Sequence, residues 1–179
     1  TTNDSILASK LRILRNQGQE GRYNHTHLGY NYRMTELSAA IGIIQLESLD
    51  ERMVGKRRVS NKYIKLLSAT ENIEMPHVPK YVYQHSWYMF APSFSDKIDR
   101  EKVVNYLSSK GIETRLSFPP IHIQPYYVNK FGFNKQDYPI SYEAWSHLIN
   151  LPISPNLSDD DLLYVVDSLK EAIDNFQIN

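Results

Sequence analysis

The sequence predicts an α/β protein in which a long connecting helix leads into a small α/β domain with a short sheet. Two observations carry that expectation. Apolar residues recur at three-to-four spacing from Thr35 onward, as Leu37, Ala40, Ile41, Ile44, Leu49 and Met53, with Tyr63 and Leu67 extending the pattern. After residue 71 the signals alternate as strand, helix, strand, strand and helix, each bounded by glycine, proline or a capping residue.

The elements follow in order. Residues 4–16 read as a short amphipathic helix with Asp4 or Ser5 as N-cap and Gly18 just past its end. Residues 18–34 mix glycine, polar and aromatic residues and read as a loop. From Thr35 about 30 residues of helix would make a rod about 45 Å long. Ala39, Ala40 and Gly42 keep its first turns slim. Residues 75–79 hold two prolines and suit a linker, and Trp87 to Phe94 suits a strand. Asp99 caps a helix from Arg100 to Lys110 that Gly111 stops. Ile112 to Leu116 alternates as a strand, and three prolines between 119 and 125 force an irregular segment. A short helix over 142–148 precedes a brief strand, Ile149 to Leu151, ended by Pro152. Ser158 and Asp161 open a final helix with Leu162, Leu163, Val166, Leu169 and Ile173 on one face.

Composition narrows the function classes. The 179 residues suit one domain, or one domain with part of another, and the first is not methionine. Twenty basic and twenty acidic residues cancel, which argues against a nucleic-acid binder needing cationic surface. The single basic run, Arg52 with Lys56, Arg57 and Arg58, follows Glu47, Asp50 and Glu51 and reads as a solvated helix face. No apolar run is long enough to span a membrane, and the N-terminus lacks a signal-peptide pattern, so a cytoplasmic location is expected. Without cysteine there are no disulfides and no thiol nucleophile.

Chemistry-bearing residues gather at two places. Tyr23 to Met34 sets two histidines, Asn31, Arg33 and three tyrosines on a loop that enters a helix N-terminus. Free amides and the helix dipole favour an anion there, and Arg33 suits a carboxylate or phosphate. The plainer alternative has Asn31 capping the helix, Arg33 meeting a surface carboxylate and the tyrosines packing. His25 and His27 have no nearby carboxylate to complete a metal site, so no metal is expected. The second group runs from Glu113 to His122. Arg115 and Glu113 share a strand face as an exposed pair, while prolines hold Phe118 and His122 in fixed poses. No glycine-rich phosphate loop, nucleophile elbow or plausible carboxylate pair is present.

The ungapped stretch from Gly29-Tyr-Asn-Tyr-Arg-Met to Leu49-Asp50 closely resembles the DegT/DnrJ/EryC1/StrS aminotransferases. Thr2-Asn3-Asp4, Arg57-Arg58 with Tyr63, Gly111-Ile-Glu-Thr-Arg115 with Pro120-Ile-His122, and Leu151-Pro-Ile-Ser-Pro155 agree in order. The resemblance covers essentially the whole chain but only the C-terminal half of the family's length. It implies the C-terminal portion of the aspartate-aminotransferase architecture, that of pyridoxal 5'-phosphate (PLP) fold type I. Residues 1–34 would be the tail of the large domain, 35–70 the connecting helix and 71–179 the small domain. It further implies a PLP enzyme that moves an amino group, from glutamate, to a keto group on a nucleotide-linked sugar. The Glu-Thr-Arg and Phe-Pro pattern, with Ser117-Phe118 where many members have His-Tyr, points toward 4-keto-6-deoxy sugars. A homodimer with a shared active site is implied, with Asn31 reaching the partner's PLP phosphate. By the same resemblance Arg33 contacts the donor carboxylate or a substrate phosphate, and Arg115, Phe118 and His122 lie near the sugar nucleotide. No lysine here matches the family's Schiff-base motif, so no catalytic residue is assigned and the chain alone is expected to be inactive. One half of a split enzyme and a non-catalytic sugar-nucleotide or protein-binding regulator are the alternatives.

Overall fold

Side-chain caps set the helix ends. In a computed structural model, which describes residues 1–178, Asp4 accepts from the amides of Ile6 and Leu7 and starts α1 (Ser5–Leu14). Thr35 does the same for α2 (Glu36–Glu47), accepting from the Ser38 amide. The helix expected to run unbroken from Thr35 is two helices, α2 and α3 (Leu49–Leu67). Ser48 stands between them at φ −92° and ψ 5°. Its hydroxyl donates to the Ile44 and Gln45 carbonyls at 3.0 and 3.3 Å, the back-bonding that disturbs a helical ladder.

The chain divides into two compact units, residues 1–49 and the remainder from Asp50, so the division falls inside the stretch expected as one connecting helix. In the first unit α1 runs into a loop closed by backbone hydrogen bonds and then into α2. No residue of α2 is buried, and Leu37, Ile41, Ile43, Ile44 and Leu46 are all exposed.

The second unit contains the core. Val59, Tyr63 and Leu67 of α3 are fully buried with Phe90, with Val103 and Leu107 of α4 (Arg100–Ser109), and with Ile149. Helix α7 (Asp159–Asn175) completes it through Leu162, Val166, Leu169 and Ile173 and packs chiefly on α4. Leu163, expected on that face, is 40% exposed: it sits one position past Leu162 and turns about 100° away from the apolar stripe. Ser158 and Asp161 form the reciprocal capping box that starts α7. The Tyr63 hydroxyl donates to the Pro152 carbonyl at 3.0 Å, and Gly55 lets α3 approach Pro155, where an added Cβ would lie 2.6 Å from that proline's Cβ.

The sheet is shorter than the sequence pattern predicts. Two-residue strands β1 (Ile73–Glu74) and β2 (Ser93–Phe94) pair antiparallel, Ile73 opposite Phe94. The other expected strands contribute single bridges. The amides of Ile149 and Leu151 donate to Pro92 and Phe90, while Asn150 exchanges both backbone bonds with Arg115 on its other side. Pro92 has no amide to return, and Trp87 sits at φ +47°, so the aromatic run cannot ladder over its full length. A 3₁₀ turn (Ile121–Ile123) and two short helices, α5 (Pro125–Phe131) and α6 (Pro139–His147), flank this sheet. The proline-rich stretch expected to be irregular therefore holds α5, with Pro125 at its first position and Gly132 left-handed at its end.

Candidate binding sites

In the first unit the loop is built by a pinch of two glycines. The Gly18 amide donates to Ile13 at 2.9 Å, and its carbonyl accepts from Thr26 and His27. At Gly29 an added Cβ would stand 2.2 Å from the Gly18 nitrogen and 2.6 Å from the Leu14 carbonyl oxygen. The backbones are therefore in direct contact, and the Tyr30 and Tyr32 amides bond back to Leu14 and Arg15 at 2.8 and 2.9 Å. This return strand presents Asn31 and Arg33. Arg33 Nε donates to Asn31 Oδ1 at 2.8 Å, while among the described residues Asn31 Nδ2 has no hydrogen-bond partner. Asn31 does not cap α2; Thr35 does. With Oδ1 held by the guanidinium, the exposed Asn31 amide keeps its N–H donors available beside a positive charge. Tyr30 and Tyr32 stack beside it, ring centroids 5.1 Å apart. His25 Nδ1 donates to the Gln17 carbonyl at 3.0 Å and its Nε2 accepts from Gln19 Nε2 at 3.2 Å, so His25 is tied into the loop. The Arg33 guanidinium beside the Asn31 amide makes a donor pair suited to an anion such as phosphate.

In the second unit the expected residues separate. Arg115 is exposed and paired with Glu113 at 3.3 Å. Phe118 is 96% exposed. Between them Ser117 is gripped twice: Trp145 Nε1 donates to its carbonyl at 2.8 Å and Asn150 Nδ2 donates to its hydroxyl at 3.1 Å. Asn150 Nδ2 also reaches the Arg115 carbonyl at 2.8 Å. Arg100 lies over the Trp145 ring at 5.1 Å and donates to the Trp145 carbonyl at 2.7 Å. Burial lowers the Arg100 pKa from its ordinary value, with the Glu101 and Tyr142 charges opposing. The segment that displays Arg115 and Phe118 is thus braced from α6 and from residue 150.

His122 is buried instead and forms part of a pocket of about 570 Å³. Tyr127, Phe131 and Phe133 form one side of the lining, and Tyr138 and Ser141 belong to the start of α6. The rings are a connected set: His122 to Tyr138 at 5.0 Å, Tyr138 to Phe133 at 5.9 Å, Phe133 to Phe131 at 5.6 Å. Of these, sequence reasoning found only His122. The density of aromatics from Tyr126 to Phe133, between a proline and a glycine, was the available signal.

The element order, helices before and around a two-strand sheet, matches the C-terminal portion of the aspartate-aminotransferase architecture. The chain belongs to the DegT/DnrJ/EryC1/StrS aminotransferase family, whose model matches residues 1–170. It is 34% identical to the GDP-perosamine synthase of Escherichia coli O157:H7, over 95% of this chain and 45% of that protein. It is 33% identical to the dTDP-3-amino-3,6-dideoxy-alpha-D-galactopyranose transaminase of Aneurinibacillus thermoaerophilus, over 94% of this chain and 45% of that protein. Among solved structures, S. venezuelae DesV, crystallised in complex with a ketimine intermediate, matches with a TM-score of 0.84 at 28% identity, covering 96% of this chain and 45% of DesV. The chain therefore spans about half the length of the relatives it matches. No helix among the described residues is long and apolar enough to cross a membrane.

Proposed function

We propose that this chain is the C-terminal part of a cytoplasmic PLP-dependent aminotransferase that moves an amino group from glutamate to the keto group of a nucleotide-linked 4-keto-6-deoxy sugar. The observation that carries the reading is the Asn31–Arg33 pair, an exposed amide beside a guanidinium on a loop that the family match includes. That donor set fits the phosphate end of PLP. When bound, the cofactor supplies the electron sink through which amino groups are exchanged. Asn31 Nδ2 hydrogen-bonds the phosphate of a cofactor held by a second copy, in a homodimer with shared sites. Arg33 takes the carboxylate of the amino donor or a substrate phosphate. Arg115 and Phe118, exposed on their braced segment, and His122 in its pocket shape the sugar-nucleotide side. No lysine of this chain occupies the family's Schiff-base motif, so the 179 residues alone do not transaminate.

The test joins or co-purifies these residues with a lysine-bearing N-terminal half. Glutamate and a GDP-linked 4-keto-6-deoxy sugar should then give an amino sugar and 2-oxoglutarate. Asn31→Ala should weaken cofactor retention about tenfold or more, the loss of one charge-assisted hydrogen bond. Unchanged retention would remove Asn31 from the cofactor site. Absence of transfer to any 4-keto-6-deoxy nucleotide sugar would overturn the reaction.

A further inference from the structure

The aromatic pocket around His122 has features that the transfer chemistry does not use. Its wall is almost all ring: Tyr127, Phe131, Phe133 and Tyr138, with Ile121 as the aliphatic member. No lysine, arginine, aspartate or glutamate lines it, so it offers an anion no fixed opposite charge. Its polar groups are the Tyr127 and Tyr138 hydroxyls, the Ser141 hydroxyl and the His122 imidazole. His122 is 8% exposed, and its Nε2 has no hydrogen-bond partner among the described residues. A buried ring nitrogen left unpaired is costly and calls for a partner. The neighbouring Tyr138 ring is 54° from the plane of His122. Tyr138 is half exposed, and at the N-cap of α6 its side chain makes no capping hydrogen bond, so ring contacts to His122 and Phe133 hold it. At about 570 Å³ the pocket falls in the size range of small-molecule sites lined by apolar groups with a few polar ones.

We propose that this pocket binds a neutral, planar heteroaromatic ring, the nucleobase of a nucleotide-linked substrate. The ring stacks against Phe133 and Tyr138, the half-exposed Tyr138 ring shifting so that one polar edge atom of the bound ring meets His122 Nε2. Stacking is the interaction such walls offer to any base, and the histidine edge adds orientation. The identity of the ring as a nucleobase rests on the proposed function. The presence of a ring-binding pocket does not.

The experiment uses the purified chain without PLP. Uridine, thymidine and guanosine are titrated by saturation-transfer NMR, with ribose 5-phosphate as the probe lacking a base. The expected result is saturable nucleoside binding with transfer concentrated on the base protons, and far weaker binding of ribose 5-phosphate. Phe133→Leu keeps an apolar side chain but removes the stacking face, and should weaken nucleoside binding about tenfold. Tyr83→Ala, at a fully exposed residue away from the pocket lining, should leave it unchanged. Circular dichroism of both variants checks that the fold is kept, and Tyr138→Ala serves as the wall variant should Phe133→Leu not fold. Absence of nucleoside binding up to about 10 mM, binding insensitive to the wall variants, or equal binding of ribose 5-phosphate overturns the pocket. In the complete enzyme, a raised KM for the nucleotide sugar with kcat kept in Phe133→Leu supports it. Amino transfer with an unchanged KM in that variant overturns the pocket and leaves the reaction standing. Nucleoside binding by a protein that transfers no amino group overturns the reaction and leaves the pocket standing.

Discussion

Tyr63→Phe separates a single hydroxyl from everything around it. Tyr63 is fully buried, its ring stacks on Phe90 with centroids 5.0 Å apart, and its hydroxyl donates to the Pro152 carbonyl at 3.0 Å. Phenylalanine keeps the ring, its burial and its stacking, and removes only the donor. The Pro152 carbonyl loses its partner, at a cost of about 1–2 kcal/mol near neutral pH. Burial also pushes the Tyr63 phenol far above its ordinary value, because the phenolate would lose its water. The folded chain therefore keeps this proton at a pH where the unfolded chain, titrating near the usual value of about 10, sheds it. Stability from this residue is complete below pH about 10 and declines above it by about 1.4 kcal/mol per pH unit. The variant has no such proton to keep. The gap between wild type and Tyr63→Phe should thus be about 1–2 kcal/mol at pH 7 and shrink toward zero by about pH 11. Urea unfolding followed by Trp87 and Trp145 fluorescence measures both gaps. A gap that is the same at pH 7 and pH 11 would refute the buried, neutral phenol, and no gap at pH 7 would refute the hydrogen bond.

Three further outcomes follow from the local geometry. Ser158→Ala removes the capping box of α7 and should cost about 1 kcal/mol in the same unfolding assay; an unchanged midpoint would show that the first turn of α7 holds without it. Gly29→Ala drives a methyl carbon into the Gly18 and Leu14 backbone, where no flexible side chain can yield, and should destabilise the first unit by about 1–3 kcal/mol. Faster hydrogen exchange at the Gly18 and Thr26 amides is its signature, and unaltered exchange would contradict the pinch. Trp145→Phe deletes the bond to the Ser117 carbonyl and should raise KM for the nucleotide sugar in the complete enzyme more than it lowers kcat; equal effects on both would mean the brace does not set the Arg115–Phe118 segment.

What the sequence disclosed was local. Asp4, Asp99 and Ser158 each start the helix that their spacing predicts, because a cap is written within three residues of itself, whereas α2 is capped by Thr35 and not by Asn31. The strands were less legible, since a run such as Trp87 to Phe94 ladders only where a partner returns its bonds. Pro92 and the left-handed Trp87 break that return. Ser48 was invisible to apolar periodicity, which continues across it while a hydroxyl takes the ladder's carbonyls. Helix α5 was hidden by counting prolines as breakers when Pro125 stands at the one helical position that needs no amide. At the sites, the Asn31–Arg33 contact joins residues two apart, so it is local in sequence. The pocket was not, since Tyr127, Phe133 and Tyr138 meet His122 only after α5 and α6 fold back on the 3₁₀ turn.

The contact between Gly18 and Gly29 also decides where this loop can vary in length. The two backbones are clasped at the base, whereas an added Cβ at Gly21 would meet nothing within 4 Å. Residues inserted at that tip lengthen a span whose ends are already fixed, and each doubling of such a span costs only about 0.6 kcal/mol. Residues inserted at the clasp would instead separate Asn31 from its bridge to Asn16. Long and short versions of this hairpin are therefore compatible with the same asparagine in the same place, provided the extra chain is carried at the tip.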